Sequence, residues 1–273
     1  MKTRRRTATT IRSCALLLTV ALVMVGCGGT KGSGGGSKTY IIGTSADFPP
    51  MEFRDPSHPG EFQGFEIDMM KAIMGHLGWT YQYRDMKFDG LLPAVQAAQV
   101  DMVVSDVYDT SDREKVVDFV DYVQSGLSVM VGAQSASGIT GYMDLCGKSL
   151  GVLTGSPAEA DIAKKADSDC KAAAKPGIDV QSYPAVADEL PQVDNGRLFA
   201  ILEDVFSLSY VQKQNTGKYQ VVFQDPGLTK SGIVLKKGSA LKSQLQSGFD
   251  WYKSSAQYDK DLQKWGLPLS AKI

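Results

Sequence analysis

The stretch Gly64-Phe65-Glu66-Ile67-Asp68-Met69-Met70-Lys71-Ala72-Ile73 decides how the rest of the chain is read. A glycine, an aromatic and two acids stand at the start of a helix that runs from Glu66 to Leu77 and is stopped by Gly78. Upstream lies Gly43-Thr44-Ser45-Ala46-Asp47-Phe48-Pro49-Pro50-Met51-Glu52-Phe53, entered from a strand over Tyr40–Thr44. Downstream come a strand over Tyr81–Tyr83, a helix over Gly90–Ala98 and an apolar strand over Val100–Ser105, which leads to Thr110-Ser111-Asp112-Arg113. After a break the alternation resumes. Strands are expected at Ser149–Val152, Ile178–Tyr183 and Leu198–Leu202, with helices at Ser156–Ala166, Ala185–Val193 and Phe206–Asn215. Two helices, Ser239–Lys253 and Ala256–Trp265, close the chain. Short apolar strands alternating with amphipathic helices predict an α/β fold with a mostly parallel sheet.

A G-F-[DE]-x-D block alone occurs in many α/β chains. The three blocks together, in order and at this spacing, resemble the polar amino-acid class of bacterial extracellular solute-binding proteins, family 3, the substrate-binding lipoproteins of ABC importers. The resemblance runs from about Tyr40 to Leu267. It implies a two-lobed periplasmic-binding-protein-like II fold with a ligand cleft between the lobes, the C-terminal helices packing back on the first lobe. Lobe 1 would comprise residues 39–128 and 227–273, and lobe 2 residues 129–226. The chain would cross near Ser128-Val129-Met130-Val131 and Val221-Val222-Phe223-Gln224. Ligands of open α/β sheets bind beyond the carboxyl ends of strands, so two such lobes face each other across the site and close over it. The implied partners are an amino acid or related small zwitterion and the permease subunits of an importer. The protein is expected to be a monomer without cofactor or metal.

The N-terminus speaks to compartment. Lys2, Arg4, Arg5, Arg6 and Arg12 form a basic region, Cys14–Val25 is apolar but too short to span a bilayer stably, and Gly26-Cys27 closes it. This reads as an export signal over residues 1–26, and Met24-Val25-Gly26-Cys27 resembles a lipobox in which Cys27 receives the lipid. Residues 27–38 include the tract Gly28-Gly29-Thr30-Lys31-Gly32-Ser33-Gly34-Gly35-Gly36-Ser37, a flexible tether reaching on the order of 18 Å. An extracytoplasmic body, lipid-anchored to the cell membrane, is the expectation. Loss of residues 1–26 would remove five basic residues and no acids, leaving 24 basic and 30 acidic residues, a formal charge of −6. Nothing in that balance suggests nucleic acid. The composition, 43% hydrophobic and 22% charged, is that of an ordinary globular protein. Cys146 and Cys170 are the only cysteines of the body, and in an oxidising compartment they are expected to form a disulfide.

Arg113 is the first candidate for ligand contact. Ser111 and Glu114 fit a capping box, which places Arg113 in the first turn of a helix, where a cation opposes the macrodipole unless an anion compensates it. The resemblance implies that it clamps the ligand's carboxylate through a bidentate pair, against the alternative of a surface arginine. In the second half, Ser156, Pro157 and Glu159 suit the N-cap, N1 and N3 positions of a helix. The family binds the same carboxylate at this helix start, but Pro157 lacks one expected N–H donor, and Ser156 serves equally well as a structural cap. Asp204, after the strand Leu198–Leu202, matches the family's partner for the α-ammonium, with Glu203 as competitor and Ser105 as an additional acceptor. Phe48 and Phe88 match the aromatic pair around the ligand side chain, with core packing as the alternative. Three departures stand out: Asp106 adds charge, Tyr108 takes up room, and Ser45 replaces the acid of binders of basic amino acids, which argues against lysine or arginine.

Two other classes share this fold: carboxylate dehydratases, for which Asp106 and Glu203 offer an acid or base, and sensor modules. His58 and His76, the only histidines, lie in a Pro-flanked loop and near a helix end, so neither supplies the base of a nucleophilic triad. The expectation is therefore a binding protein with no catalytic residues.

Overall fold

The computed structural model describes residues 38–55 and 57–273; the expected signal, Cys27 and most of the tether lie outside them. The first run of elements is β1 (Thr39–Thr44), β2 (Asp47–Phe48), β3 (Glu52–Asp55), β4 (His58–Gln63), α1 (Phe65–Leu77), β5 (Thr80–Asp85), α2 (Phe88–Gln96), β6 (Met102–Val103), α3 (Ser111–Glu114) and β7 (Val117–Ser125). The second run is β8 (Leu127–Gly132), β9 (Ser149–Leu153), α4 (Pro157–Ala172), β10 (Asp179–Tyr183), α5 (Val186–Asp194), β11 (Ala200–Asp204), α6 (Val205–Gln214) and β12 (Tyr219–Gln224). The chain ends with β13 (Thr229–Lys236), α7 (Lys242–Ser254) and α8 (Ala256–Trp265). The fold is α/β and two-lobed, each lobe built on a five-stranded sheet, ordered β5-β1-β6-β13-β7 in one and β10-β9-β11-β8-β12 in the other.

Both sheets are mixed rather than mostly parallel. The strands joined through helices, β1 with β5 and β6, and β9 with β10 and β11, pair in parallel. Antiparallel pairing joins β13 to β6 and β7, and β8 to β11 and β12. The chain leaves the first sheet along β7 and re-enters it along β13, so the two run in opposite directions side by side. The crossings also differ from expectation. They fall at Ser125–Leu127 and Asp225–Leu228, whereas Ser128–Val131 and Val221–Gln224 lie within β8 and β12. The valine-rich runs are sheet interior; the actual passages carry the backbone-breaking residues Gly126, Pro226 and Gly227. A small third sheet, β2-β3-β4, escaped the sequence pattern because prolines and a glycine interrupt its strands.

The opening stretch acts as a junction. Gly64 has φ 135°, and a Cβ there would meet the Met51 carbonyl oxygen at 2.1 Å, so only glycine lets the backbones approach. The first N–H groups of α1, which have no partner within the helix, bond that neighbouring segment: Phe65 to the Pro50 carbonyl at 2.9 Å and Glu66 to that of Met51 at 3.0 Å. Phe65 enters the core with Ile73, Tyr122, Phe249 and Tyr258. Asp68 accepts from Trp265 Nε1 at 2.7 Å and Lys264 Nζ at 2.6 Å, which fastens α8 back onto the first lobe. Gly78 then caps α1 in the left-handed conformation at φ 68°. In the second lobe the Cys146–Cys170 disulfide ties the end of α4 to the segment before β9.

Candidate functional site

The carboxyl ends of four strands meet between the lobes: β1 runs into Ser45, β6 into Ser105 and Asp106, β9 towards Ser156, and β11 ends on Asp204. They enclose a cavity of about 30 Å³, and all eight ligand-contact candidates, Phe48, Phe88, Ser105, Asp106, Tyr108, Arg113, Ser156 and Asp204, line it. A larger groove of about 600 Å³ follows the crossings past Gly126, Asp225, Tyr210 and Trp265, and contains neither Arg113 nor Asp204 from that set.

Arg113 is 6% exposed. Its guanidinium donates to the Tyr108 carbonyl at 2.9 Å and, across the cleft, to the Gly155 carbonyl at 3.2 Å. No carboxylate lies within salt-bridge distance of it among the described residues. Burial lowers its pKa and the charge of Glu159 partly restores it. The capping box expected from Ser111 and Glu114 is not formed; Thr110 is the N-cap and accepts from the Arg113 N–H at 3.4 Å. Because α3 is a single turn of four residues, its dipole is small, and burial rather than the dipole makes this cation costly.

Asp204 is fully engaged. It caps α6 by accepting from the Phe206 N–H at 2.7 Å, takes the Tyr108 hydroxyl at 2.7 Å and also takes the Ser125 hydroxyl. The Tyr108 contact spans the lobes, so the bulky residue flagged in the sequence is a first-lobe donor seated on the second lobe's acid. Burial pushes the Asp204 pKa up and these hydrogen bonds oppose it. Ser105 is likewise occupied, donating to Glu52 at 2.6 Å while accepting from the Ser45 N–H at 3.0 Å.

Ser156 sits at the N-cap of α4, with Pro157 in the first turn, but its side chain makes no cap bond. Glu159 reaches past it to the Leu153 N–H at 2.5 Å, so the expected capping box is absent here too. Phe48 and Phe88 are half-buried, each with part of its ring on the core and part on the cavity. The eight candidates therefore line one cavity, but the sequence did not disclose the number of acids there. Asp47, Glu52, Glu159 and Glu203 also line the cavity, making six carboxylates with Asp106 and Asp204, against Arg113 as the one cation of the lining.

The buried acids fall into two groups. In the first lobe Glu66, the motif's first acid, accepts the Tyr122 hydroxyl and the Asp106 N–H at 2.7 Å, and so fixes a residue whose φ is 42°. Desolvation raises the Glu66 pKa to about 7 despite those donors. Glu52 is pushed well above the carboxylate range by burial and then by the charge of Glu66. In the second lobe Glu159, Glu189 and Glu203 are at most 3% exposed, and burial drives all three well up. Among the described residues no group of histidines, cysteines and acids is arranged to hold a metal ion.

A family model described as bacterial extracellular solute-binding proteins, family 3, matches residues 40–268. The arginine-binding extracellular protein ArtP of Bacillus subtilis is 28% identical over 257 residues, covering 92% of this chain and 96% of that protein. The ABC transporter glutamine-binding protein GlnH of the same organism is 26% identical, covering 93% and 96% respectively. An ancestral arginine-binding protein solved with arginine superposes with a TM-score of 0.75 at 30% identity, covering 83% of this chain and 97% of that one.

Proposed function

Since the chain belongs to the bacterial extracellular solute-binding proteins, family 3, we propose that its cleft grips the head group of an α-amino acid, with the carboxylate on Arg113 and the ammonium on Asp204. The protein is an amino-acid-binding component of an ABC transporter and not an enzyme. The observation that carries the head-group reading is Arg113, a buried guanidinium whose donors rest on two carbonyls with no carboxylate in reach. A ligand carboxylate supplies the charge that such a cation lacks, in the bidentate geometry that arginine favours.

A cavity of about 30 Å³ has room for little more than a water molecule. Ligand entry therefore requires the lobes to part and the Tyr108 hydroxyl to leave Asp204, which the α-ammonium then occupies. Ser105 and the N-terminal turn of α4 at Ser156 flank the head group, while Phe48 and Phe88 face the side chain. Residues 39–128 with 227–273 would move against residues 129–226 about the crossings, and only contacts made by both bodies at once favour closure. Lipid attachment through Cys27 would keep the monomeric body near the importer. A thermal-shift screen of amino acids followed by calorimetry tests the reading: at least one α-amino acid should raise the melting temperature, and its affinity should fall sharply in Arg113→Ala. Unchanged affinity in that variant would remove the carboxylate clamp.

A further inference from the structure

Three glutamates converge behind the cavity wall of the second lobe: Glu159 from α4, Glu189 from α5 and Glu203 from β11. Glu203 lines the cavity, is 1% exposed, and leaves its Oε1 without any donor. Glu189 is 0% exposed and neither of its oxygens has a partner. It lies over Gly151, where a Cβ would meet its Oε1 at 2.7 Å, so the missing side chain at 151 makes the room that Glu189 fills. Glu159 accepts from the Leu153 N–H, and Glu203 through its other oxygen from the Asp204 N–H at 3.1 Å. Structural acids in cores are paired or hydrogen-bonded, because an isolated buried carboxylate is far too costly to keep charged. None of the three is paired with a cation among the described residues, Glu189 has no donor at all, and Glu203, which lines the cavity, keeps one bare oxygen.

We propose that the glutamate group Glu159–Glu189–Glu203 is the subsite for a cationic group on the ligand's side chain, and that this cation enters in exchange for a proton carried by the group. The proposal rests on the head-group reading above, which fixes one end of the ligand beside Glu203. Ser45 had pointed away from basic amino acids; its hydroxyl is spent on Asp47 at 3.0 Å, and the negative charge comes from the opposite lobe instead. Without ligand, three adjacent carboxyls in a water-poor site keep protons, since like charges so placed cannot all ionise. The neighbouring acids add to this, Asp204 following on β11, Asp188 sharing α5 and Asp106 facing them from the first lobe, while Arg113, the one cation of the lining, opposes it. A bound guanidinium or ammonium restores the charge balance. One carboxyl O–H then breaks, its proton passes to solvent, and the carboxylate pairs with the cation.

Calorimetry with L-arginine and its neutral isostere L-citrulline, in phosphate and in Tris at pH 7, tests this directly. Arginine should bind at least tenfold tighter than citrulline, and its heat should shift between the buffers by an amount that reports net proton release, while that of citrulline should not. Glu203→Gln should bring the two ligands within about threefold and abolish the buffer dependence. Glu189→Gln, which removes one carboxyl from the group without touching the cavity, should reduce the proton release on arginine binding. Equal affinities in the wild type, or arginine binding without proton release, overturns the subsite with no variant needed. Binding of citrulline or glutamine with exclusion of arginine overturns it too, yet leaves the head-group reading standing. Failure of every α-amino acid to bind brings down both.

Discussion

The first-lobe acids Glu52 and Glu66 and the second-lobe acids Glu159, Glu189 and Glu203 are equally buried, yet they are dressed differently. Glu66 receives a tyrosine hydroxyl and a backbone N–H, and Glu52 receives the Ser105 hydroxyl. Glu159 and Glu203 receive one backbone N–H each and no side-chain donor, and Glu189 receives nothing; one oxygen is bare on Glu52, Glu66 and Glu203 alike. Burial therefore does not separate the two groups; the kind of donor does, hydroxyls from other segments in the first lobe against at most a nearby backbone N–H in the second. Where side chains from other segments donate, the acid ties the fold together; where they do not, the acid is left open to the cation proposed above.

Replacing each acid by an apolar residue of similar volume is the strongest way to break this contrast. Glu66→Met should cost about 5 kcal/mol, because it strands two buried donors. Denaturant unfolding would show it, and a neutral outcome would erase the distinction between the lobes. Arg113→Ala should weaken binding of the identified amino acid by about 2–5 kcal/mol in calorimetry, as truncation of one member of a buried charge pair does. A third expectation concerns pH. Because Glu66 binds its proton more tightly in the folded than in the unfolded chain, its stabilising contribution is fully present below pH 4.5 and is lost as pH rises to about 7. The loss amounts to about 3 kcal/mol. The melting temperature should fall between pH 5 and pH 8, and Glu66→Gln should flatten that slope. Glu189→Met should stabilise the unliganded protein by about 1–3 kcal/mol, the cost of an unsatisfied buried polar group that the apolar side chain removes. Smallest is Tyr108→Phe, which removes the competitor for Asp204 and should tighten ligand binding by about 1 kcal/mol.

The order of the helices and the gathering of the candidate residues were legible because periodicity and strand-end motifs are local properties. Helix α8 falls at Ala256–Trp265 as its pattern predicts, and all eight ligand-contact candidates reach one cavity. Hydrogen-bond choice was not legible. Ser111 with Glu114, and Ser156 with Glu159, carry the spacing of capping boxes, yet Thr110 and the Leu153 N–H win the competition. Nor could the acid count be read, since Glu159 and Glu189 belong to helices that look amphipathic, and only tertiary packing turns those carboxyls inward. The β2-β3-β4 sheet was hidden for a related reason: β2 has two residues, and its pairing partners come from beyond a pair of prolines.

The crossings have a mechanical consequence. Ser125–Leu127 and Asp225–Leu228 run side by side, laced by the Asp225 N–H on the Leu127 carbonyl at 2.8 Å, and a Cβ on Gly126 would strike the Gly227 carbonyl oxygen at 2.5 Å. Two bodies hung on adjacent, touching pins share one pivot line, which favours swinging like a door over sliding. If the lobes close about this line as proposed, differently shaped cargoes would leave the shut protein with much the same outline, and a docking importer would meet that outline rather than the cargo.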